Sequence, residues 1–167
     1  VSDLLAVIDQ WGLTNSPADV NQDGIVDVSD LLMVVGNWGP CGGGSNVWTV
    51  DDDAGADFYY IQDAIDAALD GDEILVYPGT YTDTGDNVVD MMGKALWLHS
   101  SDGPETTIID GEDVRRGILS DSGETAKTII EGFTITNGYA SKGGGMYNYY
   151  SDPTLTNCTF TNNSAVG

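Results

Sequence analysis

Apolar residues recur along this chain in two rhythms. Near the start the spacing is helical: Leu4, Leu5, Ile8 and Trp11 form one stripe, and Leu31, Leu32, Val34, Val35 and Trp38 form another. The two stripes belong to copies of one unit. Residues 1–12 read VSDLLAVIDQWG and residues 28–39 read VSDLLMVVGNWG, with eight of twelve positions identical at an offset of 27. Gly39-Pro40 ends the second helix. A third helical stripe, over 57–69, carries Phe58, Ile61, Ala64, Ile65, Ala68 and Leu69, and Gly71 closes it.

From Glu73 onward short strands alternate with turns. EILVYPGTY (73–81), ALWLHS (95–100), TTIIDG (106–111), GILS (117–120), TIIEGFTITNG (128–138) and LTNCTFTNN (155–163) all read this way. Matching Ile74 to Leu96, Leu96 to Ile118 and Thr107 to Thr128 gives a period of 21 or 22, and Phe133 matches Cys158 at 25. Such a period predicts a solenoid, because one coil alone cannot bury its inner face. Leu98, Ile109, Ile130, Ile135 and Phe160 are the candidate rungs of the core. The helix at 57–69 is expected to cover the open first coil, whose strand edges would otherwise invite aggregation.

Between the first two helical stripes lies DVNQDGIVDVSD, Asp19 to Asp30. Asp19, Asn21 and Asp23 fall at loop positions 1, 3 and 5, and Gly24 at position 6, where the chain must turn sharply. Ile25 offers its backbone carbonyl at position 7, Asp27 stands at position 9, and Asp30 closes the loop at position 12. This is the EF-hand spacing, with Asp in place of the bidentate Glu. Calcium needs six to eight oxygens, and four carboxylates within twelve residues would repel one another without a cation. The first copy starts at loop position 10 and keeps only Asp3, the match of Asp30, so its site is not expected to form. The chain also stops just after a strand, and both ends are expected to be cut from a longer protein.

Charge sharpens the picture. Twenty-seven acidic residues against five basic ones give a net charge of -22. Nucleic acid and anionic membrane are disfavoured as partners, since their phosphates would be repelled. No apolar run is long enough to span a bilayer. At 41% hydrophobic, the chain can bury a core. Cys41 and Cys158 fall in different modules, and Cys158 reads as a small buried apolar residue.

Residues 1–41 resemble the dockerin type I repeat, whose unit is a calcium loop followed by one helix. The resemblance implies a calcium-dependent module that docks on cohesin. Its cohesin-reading positions, often a Ser/Thr pair, are Val28-Ser29 and Val1-Ser2 here, so only the serine matches. After a glycine-rich linker at 42–46, residues 47–167 resemble the right-handed parallel β-helix proteins of the pectin-lyase-like superfamily, through DFYYIQDAIDAALDGDEILVYPGTY. GGGMYN (143–148) and FTNN (160–163) look like the repeats of polymorphic outer-membrane proteins, which are adhesins. The same residues also read as coil corners, with asparagines capping backbone groups. The expected fold is therefore mainly β: a right-handed parallel β-helix with an N-terminal capping helix, preceded by a small α-helical EF-loop module.

The residues show no catalytic set. Asp110-Gly-Glu-Asp precedes Arg115-Arg116, which reads as a solvated turn with local ion pairs. Asp51-Asp52-Asp53 lack loop spacing and read as linker solvation. His99, the single histidine, has no partner identifiable from sequence. Three functions stay open: an extracellular or cell-surface binding protein whose β-helix faces glycans or proteins; the non-catalytic start of a polysaccharide-active enzyme; or a structural component that self-associates through open coil ends. The expected partners are a cohesin-like module or a polysaccharide, and the expected cofactor is Ca2+.

Overall fold

The computed structural model describes residues 10–14, 16, 18, 19, 22, 24–28, 30, 45–53 and 55–167. The chain divides into two compact units, Val1–Gly44 and Ser45–Gly167. The helices expected from the 1–12 and 28–39 repeat, most of the glycine-rich linker and Cys41 lie outside the described residues.

The second unit is a parallel β-solenoid of about five turns. Its widest sheet stacks β1 (Val47–Val50), β2 (Glu73–Val76), β5 (Trp97–Ser100), β8 (Ile129–Glu131) and β12 (Thr154–Thr156) in that order, every pair parallel. A second sheet stacks β3 (Gly79–Tyr81), β6 (Thr107–Asp110), β9 (Thr134–Thr136) and β13 (Thr159–Thr161). A third holds β4 (Asn87–Asp90), β7 (Arg116–Ser120) and β11 (Met146–Asn148), and β10 (Tyr139–Ala140) pairs with β14 (Ser164–Ala165).

Register turns alternation into a core. On the widest sheet Trp48, Ile74, Leu98, Ile130 and Leu155 stand in one inward column. Tyr81, Ile109, Ile135 and Phe160 form a second column, and Val89, Ile118 and Met146 a third. The predicted rungs Leu98, Ile109, Ile130 and Ile135 are completely buried, whereas Phe160, on the last coil, is 44% exposed. The coil equivalences differ from those inferred by spacing. Ile74 pairs with Leu98 rather than Leu96, Leu98 with Ile130, and Ile130 with Leu155, so successive coils take 24, 32 and 25 residues on this sheet. The reason is physical: stacking fixes the strands, while the corners between them absorb insertions. Only the Phe133-to-Cys158 match, with its offset of 25, coincides with the true register. Cys158 is half-buried against the core, and burial pushes its thiol above the ordinary value.

The expected capping helix is shorter than its apolar stripe. Helix α1 spans Ile61–Ala67 and buries Ile61, Ala64 and Ile65 against β1, β2 and β4. Its last carbonyls meet the Lys94 ammonium, which donates to Ile65 O at 2.6 Å, Ala68 O at 3.0 Å and Asp66 O at 3.1 Å. A cation there answers both the unpaired carbonyls and the negative end of the helix dipole. The first strands of two sheets are closed by side chains. Gln62 accepts from Asp90 N at 2.7 Å and donates to Asp90 O at 3.3 Å, so its amide stands in for a neighbouring strand on β4. Asp52 accepts from Thr80 N at 3.0 Å on β3. Each side chain occupies one residue of its edge strand and so blunts that edge against pairing with another chain.

Two buried carboxylates stitch coils together. Burial alone would raise Asp72, but N–H groups of Leu69 and Asn46 and the Trp48 indole hold it below the ordinary carboxylate value. Glu124 behaves likewise: burial is outweighed by the Ser151 hydroxyl and by the N–H groups of Gly93 and Ser122. A depressed folded-state value contributes stability above the unfolded value, lost as pH falls through the folded one. Asp90, raised by burial and by Asp121 and Glu124, acts in the opposite sense and loses its contribution as pH rises through its value. Thermal melts between pH 5 and pH 2 are therefore expected to fall steeply in the native protein. Asp72→Asn with Glu124→Gln should lower the melt at pH 5 and flatten that slope. An unchanged slope would show that these two carboxylates are not its source.

Candidate functional site

The described part of the first unit shows how the loop is held. Gly12 N donates to Val26 O at 2.7 Å and Val26 N to Leu13 O at 2.9 Å, with Val26 fully buried. This pair anchors the middle of the Asp19–Asp30 segment. Asp19 Oδ2 accepts from Gly24 N at 2.9 Å, which folds the first carboxylate back over the turn. Gly24 has φ +99, a left-handed conformation that favours glycine, and Gln22 is also left-handed at φ 59. At the other end Asp30 Oδ2 accepts from Asp27 N at 2.8 Å, and the chain is helical at Val28 and Asp30. This is the reach-back half of a helix capping box, and it turns the Asp30 carboxylate, 0% exposed, toward the backbone of Asp27 at loop position 9.

Of the six expected ligands, Asp19, Ile25, Asp27 and Asp30 are described, and Asn21 and Asp23 lie outside the described residues. Asp19 and Asp27 are half-buried and Ile25 is exposed. The donors are all oxygens, the class that a hard cation such as Ca2+ takes, so the residue set fits that ion.

The other acidic cluster sits elsewhere than expected. Asp51, Asp52 and Asp53 follow β1 inside the first coil, not in a linker, and their carboxylates approach within 4.8 Å of one another. Asp52 is engaged by Thr80 N, and Asp51 Oδ1 accepts from Asp53 N at 3.0 Å. Burial and these neighbours push the Tyr81 phenol above its ordinary value, while its hydroxyl donates to Tyr77 O.

The two arginines are taken up by the scaffold. Arg115 pairs with Glu112, the local ion pair expected in that turn. Arg116 instead clamps a corner, donating to Asn87 Oδ1 at 2.6 Å and to the carbonyls of Gly143 and Lys142, with its guanidinium over the Tyr147 ring. The corner asparagines work in the same way. Asn163 accepts from Gly138 N and donates to Ile135 O, while Asn137 donates to Asp110.

One arrangement on the widest sheet was not readable from sequence. Trp97 and His99, both on β5, point outward and stack with centroids 4.0 Å apart and planes 14° apart. His99 Nε2 bonds Glu73 Oε1 at 2.8 Å on the preceding coil, and Trp97 Nε1 donates to Glu131 Oε2 at 3.2 Å on the following one. Each partner lies at least 26 residues away in sequence. Only the register brings them together. Among the described residues no helix is long and apolar enough to cross a membrane. Comparison with protein-family models, curated proteins and solved structures finds no match to this chain.

Proposed function

We propose that this chain belongs to an extracellular, calcium-ordered surface or adhesion protein whose solenoid presents a binding face to glycans or other proteins. The observation that carries the calcium reading is the Asp19–Asp30 loop: oxygen donors at EF-hand spacing, a left-handed Gly24 at the turn, and a buried Asp30 carboxylate at its close. Side chains of Asp19, Asn21, Asp23, Asp27 and Asp30 and the carbonyl of Ile25 would hold the ion. Gathering carboxylates in this way costs free energy that a divalent cation offsets, so metal binding and folding of the first unit would be coupled. The dockerin type I resemblance adds a cohesin-like module as a partner of that unit. The pectin-lyase-like resemblance makes the solenoid a right-handed β-helix, the hand that parallel crossovers overwhelmingly adopt.

Calorimetric titration of the EDTA-treated chain with CaCl2 is expected to show one binding event. Asp19→Ala combined with Asp30→Ala should abolish that heat. Equal heat from the double variant would refute the loop as the site.

A further inference from the structure

The outer face of the widest sheet carries a feature that the calcium loop does not explain. Trp97 and His99 form a stacked pair, and the four positions flanking them in register are Glu73 and Ile129 beside Trp97, and Leu75 and Glu131 beside His99. None of these flanking side chains is a hydrogen-bond donor. The donors of the pair itself are spent. A carboxylate only accepts, so the His99 Nε2–H donates a hydrogen bond to Glu73, and the indole N–H donates one to Glu131. What the cluster still offers is the second oxygen of each carboxylate and the indole, with Trp97 40% exposed. A surface of acceptors around an aromatic ring selects a group that only donates, is positively charged and can lie flat on the ring.

We infer that Trp97, Glu73 and Glu131 form a docking point for an arginine side chain of a partner protein. A guanidinium has donors and no acceptors, stacks on tryptophan, and reaches carboxylates at its edges. Lysine offers a point charge and no plane, so it fits less well. Charge complementarity acts at long range too: a chain of net charge -22 attracts cationic segments and steers them to its surface. A second copy of this chain is not the source, because both of its arginines are engaged in its own turns. The inference rests on the reading of the solenoid as a presenting face and is independent of calcium.

The test uses the full chain and a fluorescein-labelled arginine–glycine pentapeptide at about 0.15 M salt, where charges more than about 8 Å apart are largely screened. Fluorescence polarisation reports affinity. The ring signals of His99 report location, and they need no assignment because the chain has one histidine. The peptide should shift those signals. Trp97→Leu, and separately the milder Glu131→Gln, should each weaken binding by about tenfold. Replacing arginine by citrulline, which keeps the shape and removes the charge, should do the same. Undiminished binding by both variants would overturn the inference in favour of diffuse acidic attraction. If a neutral hexasaccharide shifts the His99 signals and the arginine peptide does not, the arginine assignment falls and the presenting face stands. If neither probe shifts them, both fall.

Discussion

Leu98→Ala should destabilise the solenoid by about 3–4 kcal/mol, the cost typical of a leucine truncated in a core that cannot collapse. Leu98 is completely buried in the middle of its column, with Ile74 on one coil and Ile130 on the next. Strand spacing of roughly 4.8 Å between coils is held by the ladder of backbone hydrogen bonds, so neither neighbour can move in to fill the void. Leu155→Ala is the control. It stands in the same column on the last described coil, is 37% exposed, and should cost roughly 1 kcal/mol or less. Position matters because a solenoid's stability is close to a sum of terms between neighbouring coils. A defect at Leu98 weakens two such terms at once. Urea unfolding followed by circular dichroism and by tryptophan fluorescence would show the loss as a lower midpoint. Equal midpoints for Leu98→Ala and Leu155→Ala would contradict the columnar core.

The inward columns were partly legible in the sequence because alternation survives in strands such as Thr134-Ile-Thr and Thr159-Phe-Thr. Coil equivalence was not. Corners of unequal length separate Ile74 from Leu98 and Leu98 from Ile130, so a search for one period settles on Leu96 and Ile118, neither of which lies in the Ile74 column. Strands β1, β4 and β11 left too little signal. Val88 and Val89 are both buried without alternation, and β11 has three residues. The metal loop is the reverse case. Its pattern is local, so six positions can be named from spacing alone. The Trp97–His99 pair with Glu73 and Glu131 is wholly non-local and needs the register before any of its four members means anything. The same is true of Lys94, whose three carbonyl partners at the end of α1 precede it by 26 to 29 residues.

Gly138→Ala is expected to be comparably damaging, by about 3 kcal/mol, for a reason that no hydrophobic pattern contains. Its φ is not left-handed, so the cost is not backbone strain. A Cβ built there would stand 2.1 Å from the carbonyl oxygen of Gly144 and 2.6 Å from its carbon, a contact with backbone rather than with a side chain that could swing away. That carbonyl accepts from Gly117 N at 2.9 Å, and Gly138 itself accepts from Ser164 N at 2.7 Å and donates to Asn163 Oδ1. One methyl group would therefore push apart two segments of one coil, each of which is hydrogen-bonded to a neighbouring coil. Gly85→Ala tests whether crowding is the cause. There the new Cβ would meet Asp83 Oδ1 at 3.5 Å, an ordinary contact, and the loss of chain entropy in the unfolded state should leave stability within about 0.5 kcal/mol of the native protein or slightly above it. Thermal melts of the two variants decide the matter. If Gly138→Ala melts with the native protein, the two segments that meet at Gly138 and Gly144 do not approach as closely as the distances require. If Gly85→Ala falls as far as Gly138→Ala, alanine is penalised for something other than the space it fills.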